Sequence, residues 1–340
     1  MRAIFPIVTV VIVAIIGVIV FHLLSFPMPW MLGSLFGVLL TQLIWKIPMK
    51  WPVMMRNIGL LIVGTAIGQL FTFNILIAMK DTLLFMFMLN IVLSLFCLAM
   101  AYLLKKWARI PFATAIIASI PGGLSQLVVF AEEQKDIDVT VVTFFHVIRV
   151  LFVVGLIPII VSLTGEVPGA PAQGSSNLLH NLSLILLGLL LLPIGKKLRL
   201  PVPHFLTPVL IGLLLSLFKV DVDPMDGHLL HIAQLCIGAY IGLLLHPKSL
   251  RLPVRVLIGG ISSAILLLVL TFFIAEGMVF FFDLDFATSY LSTAPGGMDQ
   301  MGLIATALQA DATHVTIFQL FRMLFIYVII LPILKWKILK

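Results

Sequence analysis

Two arginines and two Pro-Gly-Gly tripeptides stand inside sequence that is otherwise apolar. Pro121-Gly122-Gly123 is followed by Ser125, Gln126, Asp138, His146 and Arg149, and Pro295-Gly296-Gly297 by Asp299, Gln300, Asp311 and Arg322. Glycine removes the side chain and proline a backbone donor, so neither tripeptide continues a regular helix without uncovering polar groups. In lipid, such backbone is tolerated only when buried in protein or lining a wet cavity. One flank of each break presents helix C-terminal carbonyls, which suit a cation. The other presents N-terminal amides at 124–126 or 298–300, which suit an anion. Gly122, Gly123, Ser125, Gln126, Gly296, Gly297 and Gln300 are therefore candidate solute contacts. A Pro/Gly kink in an ordinary packed helix is the plainer alternative.

Arg149 and Arg322 each follow an aspartate by eleven residues, about 16 Å along a helix. That depth is too great for easy snorkelling, and an intramembrane arginine is by default a functional-site candidate. A buried structural pairing with carbonyls, or with an acid such as Asp299, is the competing role. Asp138 and Asp311 are candidate Na+ or H+ coupling sites, with helix N-capping as the bland reading. Asp299 stands where the first copy has Ser125, and a carboxylate there raises local cation affinity. His146, one turn before Arg149, is replaced by Gln319 in the second copy. It could relay protons or simply be hydrogen-bonded.

The elements that must hold these residues are membrane helices. The 340 residues are 61% hydrophobic and 10% charged, with a mean hydropathy of +1.22. Runs such as 4–24 and 178–192 reach or approach the ~20 apolar residues that span a bilayer, without the alternation a β-barrel requires. Spans are expected at about 3–25, 30–46, 54–79, 81–104, 138–163, 177–196, 203–218, 228–246, 253–275 and 312–336. Broken segments fall at 110–134 and 284–308. The N-terminal run is long for a signal peptide and is read as a retained span. Cys97 and Cys236 both fall inside spans, where packing is the expected role. The net charge of +7 comes mostly from short loops and sets topology rather than marking nucleic-acid binding.

The chain repeats itself. At an offset of 174, Pro27, Pro29, Gly64, Gly68, Pro121, Gly122, Gly123 and Gln126 match Pro201, Pro203, Gly238, Gly242, Pro295, Gly296, Gly297 and Gln300. At 173, Asp138, Thr140, Phe145 and Arg149 match Asp311, Thr313, Phe318 and Arg322. This divides the chain into a first repeat at 1–164, a linker at 165–177 and a second repeat at 178–340. Basic loops around Lys46–Arg56, Lys105–Arg109, Lys196–Arg199 and Lys248–Arg255 are expected to be cytoplasmic, and the linker and the acidic 221–226 loop external. Matched loops then carry opposite charge character, as an inverted-topology repeat demands. The expectation is all-α: a polytopic membrane protein with ten spanning helices, two re-entrant hairpins with PGG tips, and both termini inside.

The doubled motif PGG-x2-Q followed by D-x-T-x-V and a late arginine resembles the AbrB family of duplicated membrane proteins. It is carried by 121–126, 138–149, 295–300 and 311–322 and covers essentially the whole chain. Members are labelled ammonia monooxygenase, AbrB-family regulator or AbrB-family transporter. The resemblance implies a bacterial inner-membrane location. The favoured expectation is a secondary transporter of a small anionic organic solute, coupled to Na+ or H+. Its motif helices would move against the rest of the protein, including 30–104 and 203–275. A membrane regulator acting through a partner protein is the alternative. No HExxH, GxSxG or P-loop motif is present, no cofactor or metal site is expected, and an ammonia-oxidising enzyme is disfavoured. Expected partners are the lipid bilayer, the solute and its coupling ion, with no direct nucleic acid. A second copy of the chain is a candidate partner.

Overall fold

The computed structural model describes residues 5–45, 49–70, 82–122, 127, 130–132, 134, 136–164, 177–200, 202–218, 220 and 222–337. Gly123, Ser125 and Gln126 lie outside these residues, as do 71–81 and nearly all of the linker. The first half of the chain forms α1 (Phe5–Leu23), α2 (Pro29–Ile44), α3 (Val53–Leu70), α4 (Leu83–Trp107), α5 (Phe112–Ser119) and α6 (Val139–Leu163). The second half forms α7 (Leu178–Lys197), α8 (Pro203–Leu217), α9 (Gly227–Gly242), α10 (Val254–Phe282), α11 (Phe286–Thr293) and α12 (Met298–Leu308). It closes with α13 (Ala312–Phe325), a π-helical turn at Ile326–Ile330 and α14 (Leu331–Lys337). Among the described residues there is no strand.

Among the described residues seven helices are long and apolar enough to cross a membrane, and α2 and α8 are shorter apolar helices. Long aliphatic runs favour helix here because lipid offers the backbone no hydrogen-bond partner, so each polar group must be satisfied within its own segment. Polar residues place the ends. Asn177 Oδ1 accepts from the backbone N–H of Leu179 and His180, Asp226 Oδ1 from His228 and Leu229, and Asp285 Oδ1 from Thr288. The expected broken segments are indeed broken. The second gives α11 and α12 on either side of Ala294–Gly297, and the first gives α5 followed by an interruption at Ile120–Gly122. The helix expected at 54–79 is described only as far as Leu70, and that expected at 312–336 contains the π turn.

The offset of 174 recurs in the backbone itself. Positive φ is found at Ser25 (54°) and Arg199 (52°), at Met28 (51°) and Val202 (45°), and at Arg109 (57°) and Asp283 (53°). Left-handed backbone at a β-branched residue directly before a proline is costly. Val202 adopts it because Pro203 must open α8 as Pro29 opens α2.

The helices fall into two compact units, and neither follows the halves of the sequence. The first comprises residues 1–79, 158–244 and 302–313. In it α3 packs on α8 and α9 packs on α2, the same contact made twice with the halves exchanged. A Cβ on Gly64 would lie 2.3 Å from Phe205 O, and one on Gly238 would lie 2.5 Å from Met31 O. Gly68 meets Pro208 O and Gly242 meets Leu35 O in the same way, at 2.7 and 2.5 Å. Without a hydrophobic driving force between helices in lipid, such close backbone approach supplies the dispersion contacts that hold them.

The second unit comprises residues 80–157, 245–301 and 314–340, and it contains both motif arms and both arginines. Here α10 supports α11. Tyr290 Oη donates to Leu268 O at 3.3 Å, Thr293 Oγ1 donates to Thr271 O at 3.2 Å, and Phe272 packs edge-on against Phe286 and Tyr290. In the first half, α4 packs on α5. The sequence predicts that 30–104 and 203–275 stand apart from the motif helices, but α4 and all of α10 cluster with them. The physical reason is that α10 supplies acceptors for the buried hydroxyls of Tyr290 and Thr293 on α11.

Candidate functional site

Both interruptions leave orphaned carbonyls, and in both a buried arginine from a later helix takes them. At the second break, Arg322 Nη1 donates to Thr293 O (3.1 Å) and Ala294 O (2.6 Å), and Nη2 donates to Gly296 O (2.7 Å). At the first, Arg149 donates through Nη1 to Ser119 O and through Nη2 to Ile120 O, both at 3.1 Å. Ser119 and Ile120 stand at the offset of 174 from Thr293 and Ala294, so the two sites share two matched carbonyl acceptors, and Arg322 takes a third at Gly296. The last carbonyls of a helix carry partial negative charge, so a guanidinium placed there is favoured electrostatically. Its planar fork reaches two or three acceptors at once.

Each arginine has a neighbour one turn earlier. Gln319 Oε1 accepts from Arg322, while Gln319 Nε2 donates to Leu291 O (2.7 Å), Ala294 O (3.2 Å) and Ser292 O (3.4 Å). His146 Nδ1 contacts Arg149 Nη2, and since arginine can only donate, the imidazole accepts. All four side chains are buried. Among the described residues no carboxylate lies within ion-pair distance of either guanidinium. Arg149, Arg322 and Cys97 of α4 lie within electrostatic range of one another, so the two breaks converge within the second unit.

At Gly122, Gly296 and Gly297 an added Cβ would press on neighbouring side chains rather than on backbone. A Cβ on Gly296 would lie 2.6 Å from Met301 Cε, and one on Gly122 would lie 2.7 Å from Leu127 Cδ1, again a matched pair. At Gly297 a Cβ would fall 2.0 Å from Gln300 Oε1 and 2.7 Å from Asp299 Oδ1. Gln300 thus folds back over the start of α12, the position a capping-box glutamine takes. Asp299 is buried in the first turn of α12, where the helix dipole favours its charge.

Asp138 and Asp311 are exposed and cap their helices. Asp138 Oδ1 accepts from the backbone N–H of Thr140 (2.9 Å) and Val141 (3.2 Å), and Asp311 Oδ1 from Thr313 (3.0 Å). The Asp138 N–H in turn donates to Thr114 Oγ1 at 3.0 Å, which sets the start of α6 beside the first turn of α5.

Sequence reasoning passed over a polar stripe on the second arm. Phe286–Thr293 reads FATSYLST where Phe112–Ser119 reads FATAIIAS. Ser289 and Ser292 replace Ala115 and Ala118, and both hydroxyls are buried without a hydrogen-bond partner among the described residues. A side-by-side alignment of the two arms would have exposed this difference.

Residues 30–337 match the family described as transition state regulatory protein AbrB. The chain is 30% identical over 270 residues to a protein of Escherichia coli (strain K12) named "Putative regulator AbrB", covering 77% of this chain and 76% of that protein. It is 26% identical over 299 residues to "Uncharacterized protein YhjN" of Bacillus subtilis (strain 168), covering 81% and 76%. No solved structure matches it. With nearly its whole length matched, and with the paired PGG motifs and their arginines inside the match, this chain belongs to the AbrB family.

Proposed function

We propose that this protein is a secondary transporter that moves a small anionic organic solute across the bacterial inner membrane by alternating access, driven by Na+ or H+. One observation carries the reading: two helix breaks, each clamped by a buried arginine, converge within one compact unit of an otherwise apolar chain. Interrupted helices with irregular backbone at membrane depth are how carriers build solute and ion sites. Two buried guanidiniums with no carboxylate partner among the described residues give that region a positive potential, which favours an anion.

The broken segments act in this reading as re-entrant hairpins. The Asp138–Thr114 bond supports re-entry in the first half, since the chain returns to the level of α5's first turn after 24 residues. Arg149 reaching the far end of α5 from eleven residues into α6 supports the same geometry, with α5 and α6 running side by side. Each repeat then holds an odd number of crossings, the halves are inverted, and both termini are cytoplasmic.

Roles divide accordingly. Arg149 and Arg322 hold the tips open and set the potential, while the tip backbone at Gly122, Gly296 and Gly297 meets the solute, with Gln300 beside it. Asp299 carries the coupling cation, because it is the one aspartate of the three that is buried. The capping geometry of Asp138 and Asp311 leaves them a structural role.

The test is uptake by purified protein in proteoliposomes. A panel of mono-, di- and tricarboxylates and amino acids would be offered under imposed Na+ or pH gradients. Gradient-dependent uptake of an anion is expected, and its absence across the panel with folded protein would overturn the reading. A membrane regulator acting through a partner is the second reading, favoured by the name of the Escherichia coli relative. A stable co-purifying protein without flux would select it.

A further inference from the structure

We infer that His146 is a positioning residue that aims Arg149, the job Gln319 does for Arg322, and that it carries no proton during the working cycle. This rests only on the paired geometry and stands whether or not the protein transports. Gln319 acts as a two-ended strut: its carbonyl oxygen accepts from Arg322, and its amide donates to the carbonyls of Leu291, Ser292 and Ala294 on α11. A neutral imidazole has the same polarity, with one ring nitrogen accepting and the other donating. His146 Nδ1 accepts from Arg149, which assigns the proton to Nε2. The ring lies against the backbone of Ile117, and Ile117 is the residue that corresponds to Leu291. Nε2 has no hydrogen-bond partner among the described residues, so the imidazole is bonded at its arginine end only.

A relay would need Nδ1 to take up a proton. That would turn the acceptor facing Arg149 into a donor facing a donor, beside a guanidinium that keeps its charge. Among the described residues the other groups within electrostatic range of Arg149 are Cys97 on α4 and Arg322 on α13, and neither supplies a counter-charge for an imidazolium. The segment of α10 that meets α6 contributes Gly259 and Gly260 against Phe145 and Phe144. Glutamine at position 319 shows that the same place in the fold works with a side chain that cannot titrate.

The experiment compares full-length wild type with H146Q, H146A and H146L in detergent, following thermal unfolding from pH 5.5 to 8. H146Q is expected to unfold within about 2 °C of wild type. H146A and H146L should lose on the order of 5 °C, the cost of an unpaired charge-assisted bond. Wild type and H146Q should also share one pH profile. The reciprocal Q319H should be tolerated as H146Q is, with Q319A losing at least as much as H146A. If H146Q falls as far as H146A, the strut role fails. If wild type shows a pH-dependent step near the histidine range that H146Q lacks, the imidazole titrates and the inference is overturned.

Discussion

Replacing Arg322 with methionine should unfold the second unit before the first, and by more than the same change at Arg149. The guanidinium of Arg322 serves three backbone carbonyls, and that of Arg149 serves two. Methionine fills similar space but donates nothing. A buried acceptor left without a donor costs about 1–3 kcal/mol, and removing a buried charge returns part of that. Gln319 still covers Ala294 O, which trims the loss further. The balance is about 3 kcal/mol for Arg322→Met and about 2 kcal/mol for Arg149→Met, or roughly 9 and 6 °C in unfolding temperature at 2–4 °C per kcal/mol. Arg322→Lys should fall between wild type and methionine, since an ammonium keeps the charge but not the fork. The chain carries its own reporters. Cys97 is buried in the second unit and Cys236 in the first, and both are free. Thiol labelling during heating, with either cysteine replaced by alanine, reads each unit separately. In Arg322→Met, Cys97 should become reactive roughly 9 °C earlier than in its parent, with a smaller shift at Cys236. Equal losses for the two arginine variants, or earlier exposure of Cys236, would refute the carbonyl-clamp argument.

Gly64→Val and Gly238→Val should each destabilise the first unit by more than about 3 kcal/mol, because the new side chain would meet Phe205 O and Met31 O on backbones that cannot yield. Gly277→Ala is the control, with nothing within 4 Å of its Cβ, and should be neutral or stabilising by about 0.5–1 kcal/mol in thermal unfolding. Thr114→Cys with Asp138→Cys should cross-link readily in membranes under mild oxidant, with Cys97 and Cys236 replaced. Failure to cross-link would argue against a chain that returns to its own start. Single cysteines at 133–137, 165–177 and 307–311 should be labelled from the inside, outside and outside respectively. Labelling of the linker from the cytoplasm would reverse the proposed topology.

The repeat was legible in the sequence at high resolution because the residues that mark it have no apolar substitute. Pro, Gly and Arg inside apolar helices stand out against aliphatic background, and their offset of 174 locates the left-handed pairs Ser25/Arg199, Met28/Val202 and Arg109/Asp283. Carbonyl pairing of Arg149 and Arg322 was legible as one alternative, but which carbonyls they bond to was not. Carbonyls belong to every residue, so sequence gives no sign of which ones go unpaired until the helix ends are placed. The capping of α6 and α13 by Asp138 and Asp311 was legible only as one of two alternatives, since an N-cap and a coupling carboxylate share a residue type and a position.

The sequence by itself determined that this chain is a duplicated bundle of membrane helices with two matched interruptions. Lipid leaves apolar runs no other structure, and the helix-breaking residues cannot be hidden. Only the tertiary structure decided how the halves combine. Each compact unit takes matched helices from both, because α3 finds its close backbone partner in α8 and α2 finds its own in α9. Those contacts depend on a glycine of one half meeting a carbonyl of the other, and no local pattern encodes such a meeting. The same holds for the arginines, whose charge the sequence displays and whose acceptors only the folded helix ends reveal.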